Sequence, residues 1–300
     1  MGALIACTIL TGRALAPMAQ VAGLLTRYHQ SITALQSLDK VMKMPTDRLR
    51  GKTPLHRPVL QGDIEFKEVS FLYPRQNVPA LDKVNFKITA GEKVGIIGRI
   101  GSGKTTIEKL ILGLYQASEG KVLIDGTEIS QLDPANLRKN IAYVPQDLIL
   151  FYGSVKDNIV LGAPYADDPS ILRAAKISGV TEFVARHPQG FDMQVGERGE
   201  KLSGGQRQAV AVARSLILDP PILVFDEPTN MMDNRTEEIF KNQLQDYAKS
   251  KTLILVTHKG SMLSLIDRLI LLDNGKIIAD GPRDLVLKAL AEGKLHARTN

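Results

Sequence analysis

The sequence predicts an α/β fold with a mainly parallel β-sheet core, a small antiparallel sheet and a long preceding helix. Residues 64–71 alternate between apolar and polar, which predicts a half-buried strand, with residues 122–126 as its antiparallel neighbour. Short apolar runs separated by helical stretches indicate a parallel sheet buried on both faces. These runs are residues 94–97, 141–144, 222–225, 253–256 and 269–272. A last hairpin is expected to turn at Asn274 and Gly275.

Apolar residues recur at helical spacing over residues 12–44, which predicts one long helix that Pro45 ends. The stretch that follows carries glycine and proline among charged residues and is typical of a linker. The expected organisation is residues 1–45 as helix, 46–60 as linker, 61–292 as the α/β domain and 293–300 as a tail.

Residues 1–10 are apolar, but Arg13 follows too soon for the ~20 residues that a membrane-spanning helix needs. We interpret this run as the cytoplasmic end of a last transmembrane helix, with Met1 not the natural start of the protein. A signal peptide is not indicated, since no basic region precedes the run. The alternative is the buried helix of a soluble protein.

The net charge of +6 lies entirely in residues 1–60, which hold eight basic and two acidic side chains. That leaves 30 of the 38 basic and 30 of the 32 acidic residues for residues 61–300. A nucleic-acid partner is therefore not expected, because such proteins concentrate basic residues on the binding domain. Positive charge after an apolar segment is typical of the cytoplasmic flank of a membrane helix.

Residues 98–105 fit the phosphate-loop pattern G-x-x-x-x-G-K-[S/T]. Glycines let the backbone wrap a phosphate closely, so that successive N–H groups point inward. Lys104 then reaches the β- and γ-phosphates, and the Thr105 hydroxyl binds Mg²⁺. The apolar run 94–97 precedes the loop and a helix from about Thr106 follows it, so the positive end of that helix faces the phosphates.

Two acidic residues, Asp226 and Glu227, follow a buried strand at the end that faces the ligand in open α/β sheets. Asp226 is suited to hold Mg²⁺, and Glu227 to polarise the attacking water. Gln146 follows another strand and can offer its amide oxygen to Mg²⁺, while His258 ends a third and can contact the γ-phosphate. The alternative for the two acids is a plain strand-to-loop exit, and a lone histidine is more often structural.

The segment Leu202-Ser-Gly-Gly-Gln206 followed by Arg207 and Gln208 resembles the signature of ABC ATPases. The resemblance covers residues 61–290 and implies a P-loop NTPase fold of ABC type, with an antiparallel β subdomain and a helical signature subdomain. It also implies an ATPase that uses ATP and Mg²⁺, with Glu227, His258 and Gln146 as catalytic residues and Thr105, Gln146 and Asp226 as metal ligands. The nucleotide-binding residues that it implies are Tyr73, Gly98, Arg99, Ile100, Gly101, Ser102, Gly103, Lys104, Thr105, Thr106, Ser203, Gly204, Gly205, Gln206 and Asp233.

The signature precedes a helix predicted to begin near Gln206, so it forms a second anion-binding helix start. One chain already has a phosphate loop, and the second helix start therefore suits a phosphate held by another copy. The resemblance implies a head-to-tail homodimer with two ATP molecules between the chains. One departure from the family pattern is Asn230-Met231-Met232 ahead of Asp233, where a serine and a small or branched residue are usual.

The loop of residues 195–199 resembles the one by which exporter ATPases contact their membrane domains. Type I secretion permease/ATPases in particular are resembled at residues 12–25, Tyr28 and residues 34–38, and again at residues 226–234 and 257–263. That resemblance implies a fused transmembrane domain in a bacterial inner membrane, with the ATPase on the cytoplasmic side. It also implies a protein cargo, a periplasmic adaptor and an outer-membrane channel as partners.

Three alternatives stay open at this point. The first is an exporter of lipids, peptides or drugs. The second is a non-transport ABC ATPase, which would need a basic binding surface or long coiled-coil insertions. The third is a truncated, inactive gene product.

Overall fold

The computed structural model describes residues 1–44, 46–47 and 54–293. The chain divides into two compact units, Met1–Lys52 and Thr53–Asn300. The predicted helix stop at Pro45, residues 48–53 of the predicted linker and residues 294–300 of the predicted tail lie outside the described residues.

In the described part of the first unit, one continuous helix, α1, spans Gly2–Met42. It begins ten residues earlier than predicted and runs through Arg13 and Pro17. An 18-residue window of α1 has a mean hydropathy of 1.4, and none of that window is buried. By length and composition α1 is therefore able to cross a membrane, although a soluble core helix or a signal sequence passes the same test. The expectation that the apolar segment is too short for this was wrong, because the helix continues past Arg13.

The second unit contains a four-stranded antiparallel sheet with the order β2-β1-β4-β5. Its strands are β1 at Ile64–Phe71, β2 at Leu81–Ile88, β4 at Glu119–Ile124 and β5 at Thr127–Glu128. The antiparallel pairing of β1 with β4 is confirmed. The sequence did not predict β2, because a register shift puts its first two buried residues, Leu81 and Val84, three positions apart.

The larger sheet of the second unit has six strands in the order β10-β9-β3-β8-β7-β6. Every pairing in it is parallel except that of β10 with β9. Asn274 and Gly275 form the turn between those two strands, with φ values of 47° and 75°, as a primed turn requires. The strands are β3 at Lys93–Gly98, β6 at Ile141–Val144, β7 at Ile222–Asp226, β8 at Thr252–Val256, β9 at Arg268–Asp273 and β10 at Lys276–Pro282.

Two apolar cores cover the two faces of the six-stranded sheet. Alternate residues of β7 point to opposite faces, so Val224 joins one core and Phe225 the other. Ile107 of the first helix after β3 packs in the Val224 core, whereas Val210 of the signature helix packs in the Phe225 core. The helices are α2 at Lys104–Ile111, α3 at Pro134–Lys139, α4 at Val155–Ile159, α5 at Asp168–Ser178, α6 at Val180–Val184, α7 at Gly204–Leu216, α8 at Asn234–Tyr247, α9 at Gly260–Leu263 and α10 at Arg283–Ala291.

Residues 55–60, predicted as linker, bond to the α/β unit. Leu55 forms a parallel bridge with Leu132. The Leu60 N–H donates to Oδ1 of Asn140 at 3.1 Å, and the Leu60 side chain is buried. The α/β unit therefore begins several residues before the predicted boundary. The reason is that backbone groups of Leu55 and Leu60 bond to residues of this unit.

Candidate active site

The topology brings four predicted segments to one edge of the six-stranded sheet. Strands β3, β8, β7 and β6 lie in that order and run parallel, so their carboxyl ends share an edge. The phosphate loop follows β3, His258 follows β8, Asp226 ends β7, and Gln146 lies two residues beyond β6. Parallel register places Asp226 opposite Val256 of β8. The four segments therefore meet at one edge of the sheet, as the sequence predicts. In open α/β sheets this edge faces the ligand.

Glycine is required at specific places in the phosphate loop. Gly101 and Gly103 have φ values of 80° and 107°, in the left-handed region that favours glycine. A Cβ at Gly103 would lie 2.6 Å from the Ala80 carbonyl oxygen. Helix α2 begins at Lys104, two residues before the predicted Thr106. The loop therefore passes directly into the helix, with its backbone held close to neighbouring strands.

The Lys104 ammonium lies over the backbone of its own loop. Its Nζ donates to the carbonyl oxygens of Gly98 at 2.8 Å and Arg99 at 2.9 Å. Burial lowers the pKa of Lys104, and the negative potential of Asp226 partly opposes that effect. Ser102 is also buried in the loop, and its hydroxyl has no hydrogen-bond partner among the described residues. The loop thus presents a cation and an unpartnered hydroxyl, both of which a phosphate can engage.

Asp226 and Thr105 place oxygen atoms together beside the phosphate loop. Asp226 is buried, and desolvation followed by the charge of Glu227 raises its pKa to about 6. A hydrogen bond with the Thr105 hydroxyl acts in the opposite direction. A desolvated carboxylate next to a hydroxyl is a set of hard oxygen ligands, which fits Mg²⁺.

Glu227 has a fixed backbone and a fixed side chain. Its φ of 47° lies in the left-handed region, which is uncommon for glutamate. Oε2 accepts from the Thr257 hydroxyl at 3.0 Å, and Oε1 accepts from the backbone N–H of His258 at 3.0 Å. The structure therefore joins Glu227 to the segment that carries His258. The side chains of His258 and Gln146 are exposed at the same edge.

The sequence did not predict a further acidic residue at this edge, Glu108. Glu108 on α2 is fully buried, and Oε2 accepts from the Tyr143 hydroxyl at 3.3 Å. Burial and the negative charge of Asp226 raise the pKa of Glu108 to about 8. Glu108 is therefore mostly protonated at neutral pH in the folded chain. A helix pattern gives no sign of this, because Tyr143 and Asp226 lie far from Glu108 in the sequence.

Glu108→Gln is expected to stabilise the folded chain, because it removes a carboxyl group that ionises more readily in the unfolded chain than in the folded one. The pKa of Glu108 in the folded chain lies above the ordinary value of 4.5. Glu108 therefore does not destabilise the fold below pH 4.5, and its destabilising effect grows as pH rises to about 8. The gain in the free energy of unfolding should reach about 2 to 4 kcal/mol at pH 8 and vanish near pH 4. Urea unfolding at both pH values measures it. Glu182→Gln, at an exposed position on α6, is the control, and an equal gain in the two variants would contradict the assignment.

Tyr73 lies in an aromatic cluster at the start of α2. Its ring makes edge contacts with Phe71 at 4.8 Å and Tyr115 at 5.3 Å between centroids. Its hydroxyl lies 3.2 Å from that of Thr106, and the Lys109 ammonium is 5.6 Å from its ring centroid. The half-buried ring is thereby held near the phosphate loop, and its predicted contact with nucleotide stays a prediction.

The signature residues cap α7. This helix begins at Gly204, not near Gln206, and Ser203 is its N-cap residue. The Ser203 hydroxyl accepts from the Gln206 N–H, and Oε1 of Gln206 accepts from the Ser203 N–H, forming a capping box. A Cβ at Gly204 would lie 3.1 Å from Cβ of Met231. Met231, one of the residues that depart from the family pattern, therefore packs on the signature residue Gly204 of its own chain.

Asp233, predicted to contact nucleotide, is the N-cap residue of α8. Its Oδ1 accepts from the N–H groups of Arg235 and Thr236, and its Oδ2 accepts from the Thr236 hydroxyl. These bonds lower its pKa and give the residue a structural role in this chain. Its predicted nucleotide contact stays a prediction.

The fold and the edge geometry define a nucleoside-triphosphate-binding domain of the P-loop class. Residues 81–230, half of the chain, match the family model described as ABC transporter. The chain belongs to the ABC transporter family, with the fold of its ATP-binding ATPase domain. The family and fold class predicted from the sequence are confirmed.

Similar proteins cover most of this chain. The leukotoxin translocation ATP-binding protein LktB of Mannheimia glucosida is 38% identical over 288 residues, which are 96% of this chain and 40% of LktB. LktB proteins of Mannheimia haemolytica and Bibersteinia trehalosi show the same identity and coverage. The chain thus spans 40% of the length of these relatives. A solved structure of a bacterial Atm1-family ABC exporter with ATP bound matches with a TM-score of 0.81 and 32% identity, over 89% of this chain and 48% of that one.

Proposed function

We propose that two copies of this chain bind two ATP molecules head to tail, hydrolyse them and thereby drive export through a membrane domain. The observation that carries the proposal is the placement of the two anion-binding helix starts. Helix α2 packs on one face of the six-stranded sheet and α7 on the other. A phosphate in the loop ahead of α2 is therefore suited to meet the Ser203 helix start of a second copy.

The residues at the sheet edge have separate roles in this proposal. Lys104 and the loop N–H groups bind the phosphates, and Tyr73 stacks on the adenine. Thr105, Asp226 and Gln146 hold Mg²⁺, which supplies charge neutralisation on the phosphate oxygens. Glu227 takes a proton from the attacking water, and His258 contacts the γ-phosphate. The bonds from Thr257 and His258 aim the Glu227 carboxylate before substrate arrives.

ATP binding closes the pair and hydrolysis opens it, and this movement is passed to the membrane domain. We infer that α1 is the last part of that domain, since its apolar window is long enough to span a membrane. The basic residues near its end suit the cytoplasmic face of a bacterial inner membrane. The loop at residues 195–199 would contact the membrane domain.

We propose protein export by type I secretion as the physiological role. Support comes from the resemblance of α1 to secretion permease/ATPases and from relatives named leukotoxin translocation proteins. A periplasmic adaptor and an outer-membrane channel would complete the path. The similarity to an Atm1-family exporter keeps export of a smaller substrate as the second candidate.

Deletion of the gene that encodes this chain tests the physiological role. We expect one or more secreted proteins to disappear from the culture medium, as measured by mass spectrometry. Wild-type complementation should restore them, and complementation with Glu227→Gln should not. An unchanged set of secreted proteins would contradict protein export and favour the smaller substrate.

A further inference from the structure

The side chain of Gln208 joins the signature helix to the turn that carries Glu227. Gln208 lies on α7, five residues after the N-cap Ser203, and is 2% exposed. Its position on the Phe225 face brings it under the turn that follows β7. It lies outside the nucleotide site that the sequence predicts.

The Gln208 carboxamide holds the turn at two points. Its Nε2 donates to the carbonyl oxygen of Glu227 at 2.8 Å, and its Oε1 accepts from the Met231 N–H at 2.9 Å. A carbonyl on one side and an N–H on the other fix which way the amide faces. One buried side chain therefore satisfies both ends of the 227–231 segment.

Glu227 needs such support because its backbone is in an unfavourable conformation. A positive φ is unfavourable for a glutamate and persists only where the surroundings impose it. The Glu227 N–H donates to Val256 in the adjacent strand, and its carbonyl oxygen accepts from Asn230 in the same turn. The bond from Gln208 ties the Glu227 backbone to a different layer of the fold. It fixes the turn relative to α7 and not only to the sheet.

We propose that Gln208 is a positioning residue for ATP hydrolysis, holding the Glu227 turn against the signature helix so that the carboxylate meets the attacking water. This inference rests on the proposed role of Glu227. It also means that α7, whose N-terminus would bind the partner's nucleotide, and Glu227 of the same chain move together. The carboxamide of Gln208 bonds to the backbone of Glu227 and Met231, and Gln208 acts through Glu227.

Gln208→Met tests this in the full chain, since methionine has similar bulk and makes neither hydrogen bond. We expect kcat for Mg²⁺-ATP to fall ~10- to 100-fold, the effect of a small misplacement of a catalytic group. The KM for ATP should stay within about 3-fold of wild type, because the phosphate loop is untouched. In the Glu227→Gln background the same substitution should cause no further loss in single-turnover rate, because the group that it positions is already gone.

Gln245→Met, at an exposed position on α8, is the matched control and should keep wild-type kcat. If Gln208→Met does not fold, Gln208→Leu gives the same test, since leucine is smaller and also makes neither hydrogen bond. Unchanged kcat, an additive loss in the Glu227→Gln background or a parallel loss of ATP affinity would each overturn the inference. A wild-type chain without ATPase activity would instead overturn the proposed function.

Discussion

Glu227→Gln is expected to lower Mg²⁺-ATP turnover by at least ~100-fold, the usual contribution of a positioned general base. Glutamine has the shape of glutamate and can keep both anchoring bonds. Its Oε1 accepts from the His258 N–H, and the Thr257 hydroxyl can turn from donor to acceptor. The loss is therefore confined to proton transfer, and ATP affinity should stay within about 3-fold of wild type.

A chain that binds ATP but cannot cleave it should accumulate as a nucleotide-bound pair. Size-exclusion chromatography with light scattering, with and without Mg²⁺-ATP, measures this directly. Glu238→Gln on α8 is exposed and lies 11 residues further along the chain, so it should retain turnover and show no trapped pair. Wild-type turnover in Glu227→Gln would remove Glu227 from the proposed role.

The sequence predicted most of the large sheet because its signals are local. Each run from residues 94–97 to 269–272 is apolar on both faces, and each lies within a strand. The phosphate loop was recognisable for the same reason, since its glycines, Lys104 and Thr105 are contiguous. Helix starts were less well predicted, because caps and positive φ values decide them, as at Ser203 and Gly103.

The contacts that stabilise the site were not predictable from local patterns. Glu108 is an acidic residue on an amphipathic helix, and nothing near it in sequence indicates that Tyr143 bonds to it or that the charge of Asp226 acts on it. Gln208 and Met231 are 23 positions apart, and no periodicity signals their bond. Contacts between residues far apart in sequence therefore determine the ionisation state of Glu108 and hold the backbone of Glu227.

Mixing two inactive variants is expected to restore ATP-dependent pairing. In a head-to-tail pair each ATP lies between the phosphate loop of one chain and the signature of the other. Lys104→Ala damages the loop, and Ser203→Arg obstructs the signature. A pair made from one copy of each variant concentrates both lesions in one site and leaves the other site intact.

With Glu227→Gln present in all chains, neither variant alone should pair on adding Mg²⁺-ATP. An equimolar mixture should pair and retain about one ATP for every two chains, because a mixed pair keeps one intact site of the two that a two-fold pair forms. Light scattering and quantification of bound nucleotide measure both quantities. Ser203→Arg also removes the N-cap of α7, which costs about 1 kcal/mol of stability. Unmixed Ser203→Arg must therefore still bind one ATP per chain, because its own loop is intact. A mixture that does not pair would indicate that each ATP site lies within a single chain. The helix start at Ser203 would then have no phosphate to bind, because α2 and α7 pack on opposite faces of the sheet.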